Sequence, residues 1–206
     1  MITGFTAGLL LITLSELGDK TFFIGAILAM RHPRRWVFLG VTLALAGMTV
    51  LSVGLGQVAA LLPQHYVRAV AIALFFGFGF KLLYDASRLS PQDCMAGEQT
   101  EALEAVKGCS QLQQANLLGR MVVMEALALT FVAEWGDRTQ IATMTLATTN
   151  HPLGVIVGAT LGHAICAAIA ITVGRMVAGC ISERLLTALG GGLFILFGVV
   201  MAAGGM

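Results

Sequence analysis

Long apolar stretches separated by short polar turns make up most of this 206-residue chain. A helix of about 20 apolar residues crosses the hydrocarbon core of a bilayer. Six stretches reach that length and are predicted to be membrane-spanning helices. Their approximate ranges are 2–30, 36–62, 67–84, 120–149, 152–181 and 185–203. The pattern therefore predicts an all-α polytopic membrane protein with six transmembrane helices.

One longer polar segment interrupts the apolar pattern between the third and fourth stretches. It covers residues 85–119 and carries Glu101, Glu104 and Lys107, in a run that predicts a short surface helix. The chain is therefore divided into residues 1–84 as a first three-helix repeat, 85–119 as a polar cytoplasmic linker, and 120–206 as a second three-helix repeat.

The composition supports a membrane protein and excludes several other classes. Hydrophobic residues make up 57% of the chain and charged residues 11%, with a mean hydropathy of +0.87, whereas soluble domains carry about 25% charged residues. The net charge of +1 says nothing about nucleic acid or acidic partners, and no nucleic-acid partner is expected. The four cysteines form no C-x-x-C pair, so no zinc site or disulfide framework is predicted. No phosphate-binding loop, nucleotide fingerprint or nucleophile with a base indicates an enzyme.

The first apolar stretch is predicted to remain in the protein as a membrane helix. A secretory signal peptide begins with a basic region before its apolar core. No basic residue precedes the apolar run that begins at Ile2. A cleaved leader is therefore not expected.

A short charged motif occurs twice inside apolar stretches. Positions 16–21 read Glu-Leu-Gly-Asp-Lys-Thr, and positions 134–139 read Glu-Trp-Gly-Asp-Arg-Thr. Both copies fit the pattern E-x-G-D-[K/R]-T. Ionisable side chains at membrane depth are costly and usually mark a substrate or ion pathway. The doubled motif is therefore the candidate functional site.

The two motifs belong to a longer internal repeat. A constant shift of 118 residues aligns them, and it also places Gly40 on Gly158 and Thr42 on Thr160. Each half then contains three predicted helices. Because three is odd, the second half should enter the membrane from the opposite side. Inverted repeats of this kind place a substrate site near the membrane midplane, between the halves.

Basic residues are concentrated on one set of turns. Arg31, Arg34 and Arg35 follow the first predicted helix, whereas the opposite set of turns holds little beyond Arg68. Cytoplasmic loops carry an excess of Lys and Arg. The turns after the first, third and fifth helices are therefore predicted to face the cytoplasm, and both termini to face outward.

The spacing of the motif offers two local geometries. Residues three and four apart share a helix face, so Glu16, Asp19 and Lys20 would project together, as would their counterparts in the second copy. The intervening glycine permits either close approach of another helix or local unwinding that frees a backbone carbonyl. The sequence leaves these alternatives open.

The charges of the two motifs predict a cation/proton exchanger. Four carboxylates and two fixed cations have a net charge of −2 when all are ionised, which one divalent cation or two protons would neutralise. An all-oxygen ligand set favours Mg²⁺, Ca²⁺ or Mn²⁺ over Zn²⁺ or Cu⁺. A simpler interpretation is that Glu16–Lys20 and Glu134–Arg138 are ion pairs within their own helices. That interpretation leaves the two aspartates without partners.

The candidate side chains are assigned by role. The predicted metal ligands are Glu16, Asp19, Thr21, Glu134, Asp137, Thr139 and Gln140. The side chains predicted to couple protons and balance charge are Glu16, Asp19, Lys20, Glu134, Asp137 and Arg138. The motif glycines are Gly18 and Gly136. Outside the motifs, His163 is expected either to relay protons or touch the metal, or only to pack between helices. Glu125 is expected to face a vestibule or the membrane interface.

At these residues the chain resembles the Gdt-type cation transporters, which include the MneA-type bacterial manganese exporters. The twin motifs, the three-plus-three arrangement and the short polar linker carry the resemblance over nearly the whole chain. It implies export of Mn²⁺, with Ca²⁺ as a second candidate, in exchange for protons. It implies no cofactor, since the metal is the transported ion. It also implies the inner membrane of a bacterium as the location.

Two alternatives from other classes are considered. An exporter of small organic solutes such as amino acids would need an anion-binding helix end, which an acidic doubled cluster suits poorly. A non-transporting scaffold would bind a partner on the linker. Transport of Mn²⁺ into proteoliposomes distinguishes all three functions.

Overall fold

A computed structural model describes residues 1–89, 96–108, 119–177 and 183–203. These residues form helices and contain no strand, which confirms the all-α class. The helices are α1 (Ile2–Glu16), α2 (Lys20–Arg31), α3 (Arg34–Ala59), α4 (Gln64–Arg88), α5 (Ala96–Gly108), α6 (Gly119–Ala133), α7 (Arg138–Thr149), α8 (Pro152–Val177) and α9 (Glu183–Ala202).

The first and fourth predicted helices are each broken at the motif. The first is divided into α1 and α2, and the fourth into α6 and α7. Gly18 and Gly136 adopt φ values of 84° and 83°. A helix cannot continue through a residue in this left-handed region, and glycine adopts it without steric cost. Of the two local geometries, unwinding is the one that the structure contains.

Four of the described helices are long and apolar enough to cross a membrane. They are α3, α4, the part of α8 at Pro152–Thr172 and the part of α9 at Arg184–Ala202. Large apolar side chains such as Leu43, Val50 and Val157 are exposed on these helices. Contiguous apolar surface of this kind is suited to lipid rather than to water. The chain is a multi-pass membrane protein.

The internal repeat appears in the element boundaries and in the packing. A shift of 118 residues maps the bounds of α2 onto those of α7, and the bounds of α3 onto those of α8. A Cβ atom added at Gly158 would overlap the backbone of Phe5, and one added at Gly40 would overlap the backbone of Val123. These two contacts are exchanged by the same shift. Each half therefore packs against the other in an equivalent way, through glycines that permit close helix approach.

Two apolar clusters lie on either side of the motif turns. The first includes Phe22 of α2, Val41 near the start of α3 and Val122 of α6. The second includes Leu11 of α1 and Leu146 of α7, together with side chains of α4 and α9. Because α1 and α7 contribute to one cluster and α2 and α6 to the other, both motif turns lie between the clusters. The charged motifs thus occupy a layer between two apolar layers.

The linker contains the helix predicted for it, but that helix is not only a surface element. Ala102 and Val106 of α5 are buried in the apolar cluster that includes α2. Glu101 and Glu104 remain exposed. One face of α5 thus packs onto the membrane-spanning part of the protein. The predicted linker residue Asp93 lies outside the described residues.

Candidate metal site between the two halves

The two motifs fold into nearly identical turns. Glu16 is the last residue of α1, and Asp19 is the N-cap of α2. In each copy the backbone N–H of the aspartate donates to the backbone carbonyl of the glutamate, which closes a four-residue turn. The distance is 3.2 Å from Asp19 to Glu16 and 3.1 Å from Asp137 to Glu134. Each motif therefore brings the carbonyl end of one helix and the N–H end of the next to the same place. Such helix ends supply both acceptors and donors for an ion site.

The aspartates have a structural role as well as a charge. The Asp19 carboxylate accepts the Lys20 backbone N–H at 2.9 Å, and the Asp137 carboxylate accepts the Thr139 N–H at 3.2 Å. Aspartate is a favoured N-cap residue because it satisfies an amide group that has no partner within the helix. The N-cap interactions fix where α2 and α7 begin.

Both glutamates are buried and only half satisfied. Glu16 and Glu134 are each 2% exposed. Thr21 Oγ1 donates to Glu16 Oε2 at 3.1 Å, and Thr139 Oγ1 donates to Glu134 Oε2 at 3.3 Å. The Oε1 atom of each glutamate has no hydrogen-bond partner. A buried acceptor without a partner costs about 1–3 kcal/mol, so both atoms are placed to accept a proton or a cation.

Three of the four motif carboxylates come together from the two halves of the chain. Oxygen atoms of Glu16, Glu134 and Asp137 lie within 4.8 Å of one another. This separation suits several oxygen ligands around one hard divalent cation. The three residues form what we call the carboxylate triad.

Asp19, the fourth carboxylate, forms an ion pair with the opposite motif. Arg138 Nη2 lies 3.2 Å from Asp19 Oδ2. The simpler interpretation paired Arg138 with Glu134 inside one helix. That assignment of the partner of Arg138 was wrong. The helix break separates Arg138 from Glu134, whereas the packing of the halves brings Asp19 to Arg138. Lys20 is half-buried at the start of α2.

The hydroxyl and amide ligands predicted from sequence have partners within the motifs. Thr139 Oγ1 donates to Asp137 Oδ2 at 3.1 Å as well as to Glu134. Gln140 Oε1 accepts the Gly136 N–H at 2.7 Å. This bond stabilises the second turn, in which Gln140 replaces the phenylalanine of the first copy. The threonines therefore orient the carboxylates in this structure, and Gln140 holds the backbone of the second turn.

The two candidates outside the motifs have different environments. His163 of α8 is 5% exposed, and its Nδ1 lies 3.7 Å from Glu16 Oε1. Glu125 lies beside the turn that follows α2. Its Oε2 lies 3.5 Å from Nε2 of His32, which caps the end of α2. The short turn after α2 brings His32 to α6, a contact between sequence-distant residues that the pattern could not predict.

A cavity of about 350 Å³ reaches the motifs from one side. It is lined by Asp19 and Arg138 at its inner end and by Asp85 and Arg88 of α4 towards its mouth. Sequence analysis did not identify Asp85 and Arg88 as part of the site. The sequence feature that could have identified them is a pair of opposite charges, one helical turn apart, at the end of an apolar helix.

A smaller cavity of about 10 Å³ adjoins the triad at Glu134. Polar side chains of α3, α7 and α8 and of the second motif turn line it, and sequence analysis missed three of these side chains. These three are Thr49, Ser52 and Thr143. The cavity walls also include Glu134 and His163. The large cavity thus reaches the ion pair of Asp19 and Arg138, and the small polar cavity adjoins Glu134 of the triad.

Comparison with known proteins identifies the family. The sequence model described as divalent cation/proton antiporter GDT1 matches residues 4–90 and 122–206. The chain belongs to the GDT1 family of divalent cation/proton antiporters. This confirms the resemblance seen in the twin motifs. Members of the GDT1 family are transporters and not enzymes, and the cation is their substrate rather than a cofactor.

Relatives in the GDT1 family match over nearly the whole chain. A GDT1-like protein of Synechocystis sp. (strain PCC 6803) is 54% identical over 97% of this chain and 97% of its own length. GDT1-like protein 3 of Oryza sativa subsp. indica is 44% identical over 94% of this chain and 71% of its own. The chloroplastic PAM71-homolog of Arabidopsis thaliana is 40% identical over 95% of this chain and 58% of its own. No solved structure matches the chain.

A glycine substitution tests the broken helix. Gly136→Ala should lower the thermal unfolding midpoint in detergent, because a left-handed conformation costs an alanine about 1–2 kcal/mol. Steric overlap does not explain such a loss, since a Cβ at Gly136 has nothing within 4 Å. Gly47→Ala is the control. Gly47 lies within α3 and its Cβ would also be free of contacts within 4 Å, so no loss is expected there. Equal midpoints for the two variants would contradict the assigned turn.

Proposed function

We propose that this protein exports Mn²⁺ in exchange for protons, with Ca²⁺ as a second transported ion, through one site shared by both ions. The observation that carries the proposal is the carboxylate triad. Its three carboxylates come from both halves of the chain and lie within 4.8 Å of one another. Membership of a divalent cation/proton antiporter family supports the same chemistry.

The charges of the site explain why exchange would be obligatory. With Asp19, Lys20 and Arg138 included, the motif layer carries four negative and two positive groups, a net charge of −2. One Mn²⁺ or two protons neutralise it. A carboxylate must be ionised to bind metal, so metal and protons compete for the same oxygens. The empty, ionised site would be costly to move through a low-dielectric layer, which favours movement only of the loaded or protonated forms.

The proposed membrane arrangement has six crossings in two inverted repeats, residues 1–84 and 120–206, joined by residues 85–119. The pair α1 and α2 has 15 and 12 helical residues, as many as α6 with 15 and α7 with 12. At 1.5 Å per residue each pair reaches about 40 Å end to end, enough to cross a bilayer. The exchange of equivalent glycine contacts between the halves supports this arrangement. We place the protein in the inner membrane of a bacterium.

The orientation is proposed from the basic residues. The wide cavity opens beside Arg88, near the end of α4, and this end is on the side predicted to be cytoplasmic. In this arrangement the structure has its site open to the cytoplasm and closed to the outside, the state that would load Mn²⁺ for export.

Cysteine labelling tests the orientation in intact cells. On a background without native cysteines, Arg34→Cys should be shielded from an impermeant thiol reagent added outside, and His151→Cys should react. Both positions are exposed in the structure, so a difference reports sidedness rather than burial. The reverse labelling pattern would overturn the orientation and leave the repeat untouched.

Flux in proteoliposomes tests the function itself. Purified protein should move Mn²⁺ against its gradient when a proton gradient is imposed, and a pH-sensitive dye should record protons moving the other way. Mn²⁺ movement that ignores the pH gradient would indicate a uniporter. No Mn²⁺ movement, with transport of amino acids instead, would support the organic-solute exporter. No transport of either would favour the scaffold.

A further inference from the structure

We propose that His163 supplies a nitrogen ligand at the cation site and makes the protein prefer Mn²⁺ over Ca²⁺. This inference rests on the proposed function, since it assigns a selectivity to the same site. It adds a residue of α8 to a site that sequence motifs place only at the two helix breaks.

His163 lies close to Glu16 and shares a cavity with Glu134, the two glutamates of the triad. Its Nδ1 lies 3.7 Å from Glu16 Oε1, and its side chain lines the small cavity together with Glu134. A distance of 3.7 Å is too long for a hydrogen bond. Two groups that both face one cation are commonly held at such a separation, because each bonds to the ion rather than to the other.

One buried polar atom on each of these three residues has no hydrogen-bond partner. They are His163 Nδ1, Glu16 Oε1 and Glu134 Oε1. Buried polar groups in folded proteins nearly always have a hydrogen-bond partner, so each exception needs an explanation. One cation bound to both carboxylates and to the imidazole nitrogen would satisfy all three atoms at once.

The packing of helices explains why His163 reaches the triad. The preceding residue, Gly162, faces α1 so closely that a Cβ there would lie 3.0 Å from Thr13 Oγ1 and 3.1 Å from the Leu9 carbonyl oxygen. This close approach brings the next side chain of α8 to the end of α1, where Glu16 lies. The glycine thus has a consequence for the site as well as for packing.

The internal repeat argues against a purely structural role for the imidazole. A shift of 118 residues relates His163 to Leu45, and Leu45 is buried in the apolar cluster that includes Phe22. An aliphatic side chain therefore satisfies the equivalent packing position. Leu45 and His163 both line the small cavity, so packing alone does not require an imidazole at this position.

A single nitrogen among oxygen ligands changes which ions bind well. Ca²⁺ is coordinated almost entirely by oxygen and tolerates an imidazole poorly. First-row divalent metals accept imidazole nitrogen, and Mn²⁺ also accepts carboxylate oxygens. Glu16, Glu134, Asp137 and His163 together therefore favour Mn²⁺ over Ca²⁺, whereas the carboxylates alone do not separate the two.

Spectroscopy of the unaltered chain gives the first test. The purified full-length protein is loaded with Mn²⁺, and electron spin echo modulation is recorded with natural-abundance and with ¹⁵N-labelled histidine. Nitrogen coupling that changes with the label is expected. His163→Gln should abolish this coupling, whereas His151→Gln, at an exposed position, should preserve it. Absence of histidine coupling in protein that binds Mn²⁺ overturns the inference.

Transport selectivity gives the second test. In proteoliposomes His163→Gln should lower the ratio of kcat/KM for Mn²⁺ to kcat/KM for Ca²⁺ at least about tenfold, the lower end of what loss of a partner in a metal site does. His163→Asn is a second variant in case the first folds poorly. Equal losses for both ions, or an unchanged ratio, overturn the selectivity role. Failure of the wild-type protein to bind or move Mn²⁺ would instead refute the proposed function, and this inference with it.

Discussion

Replacing either buried glutamate of the carboxylate triad by glutamine is expected to abolish Mn²⁺ transport. Glu16→Gln and Glu134→Gln keep the size of the side chain, and an amide oxygen still accepts the threonine hydroxyl that each carboxylate accepts now. The variants should therefore fold. Each removes one negative charge from the three carboxylates that lie within 4.8 Å of one another, and the charge of the ligands is a main determinant of affinity for hard cations.

The expected loss exceeds about 100-fold in kcat/KM, which is the upper end of what loss of an outer-sphere partner does at a metal site. The measurement is initial Mn²⁺ uptake into proteoliposomes at matched protein content. Glu125→Gln is the control, because it is the same substitution at a glutamate of α6 that contacts His32 instead of the triad. Retention of transport by either triad variant, or an equal loss in the control, would falsify the shared carboxylate site.

The sequence predicts the all-α class and the location of the site because both depend on local patterns. Apolar stretches of bilayer length require no knowledge of tertiary contacts. A glycine between two carboxylates marks a possible helix break, and Gly18 and Gly136 take the conformation that such a break requires. What the pattern left open was whether the helix unwinds there, since the apolar residues of α1 and α2 continue on both sides of the motif without a change in composition.

The sequence does not predict which charged groups meet. Asp19 and Asp137 occupy equivalent positions, yet one pairs with Arg138 and the other joins the triad. This difference arises from how the halves pack, and no local spacing records it. The hydroxyls of the small cavity are hidden for another reason. Ser52 and Thr49 donate to carbonyl groups of their own helix, as such residues commonly do, so their sequence pattern does not distinguish a cavity from ordinary packing.

The ion pair between the halves leads to a second prediction, in which two substitutions together restore what one destroys. Arg138→Gln should reduce Mn²⁺ turnover at least about tenfold, the effect of about 1.4 kcal/mol on a barrier. Without this cation the motif layer changes from −2 to −3, so the Mn²⁺-loaded site carries −1 rather than zero. Moving an uncompensated charge through an apolar layer is costly. Binding of Mn²⁺ should survive, because the triad itself is intact.

Adding Asp19→Asn to Arg138→Gln should recover most of the turnover. The double variant returns the motif layer to −2, and it removes the carboxylate that Arg138 Nη2 contacts at 3.2 Å. Asparagine is as good an N-cap residue as aspartate, so the start of α2 should be preserved. Turnover and the ratio of protons to Mn²⁺ are measured together in proteoliposomes that contain a pH-sensitive dye.

Lys20 provides the matched comparison, since Lys20→Gln also removes one positive charge from a motif. If only the total charge of the layer matters, Asp19→Asn should rescue Lys20→Gln as fully as it rescues Arg138→Gln. The structure pairs Asp19 with Arg138 across the two halves, so rescue should be clearly greater for Arg138→Gln. Equal rescue of both variants would show that the layer acts only through its net charge. Rescue of neither would show that Asp19 itself binds the cation during transport, as the sequence first suggested.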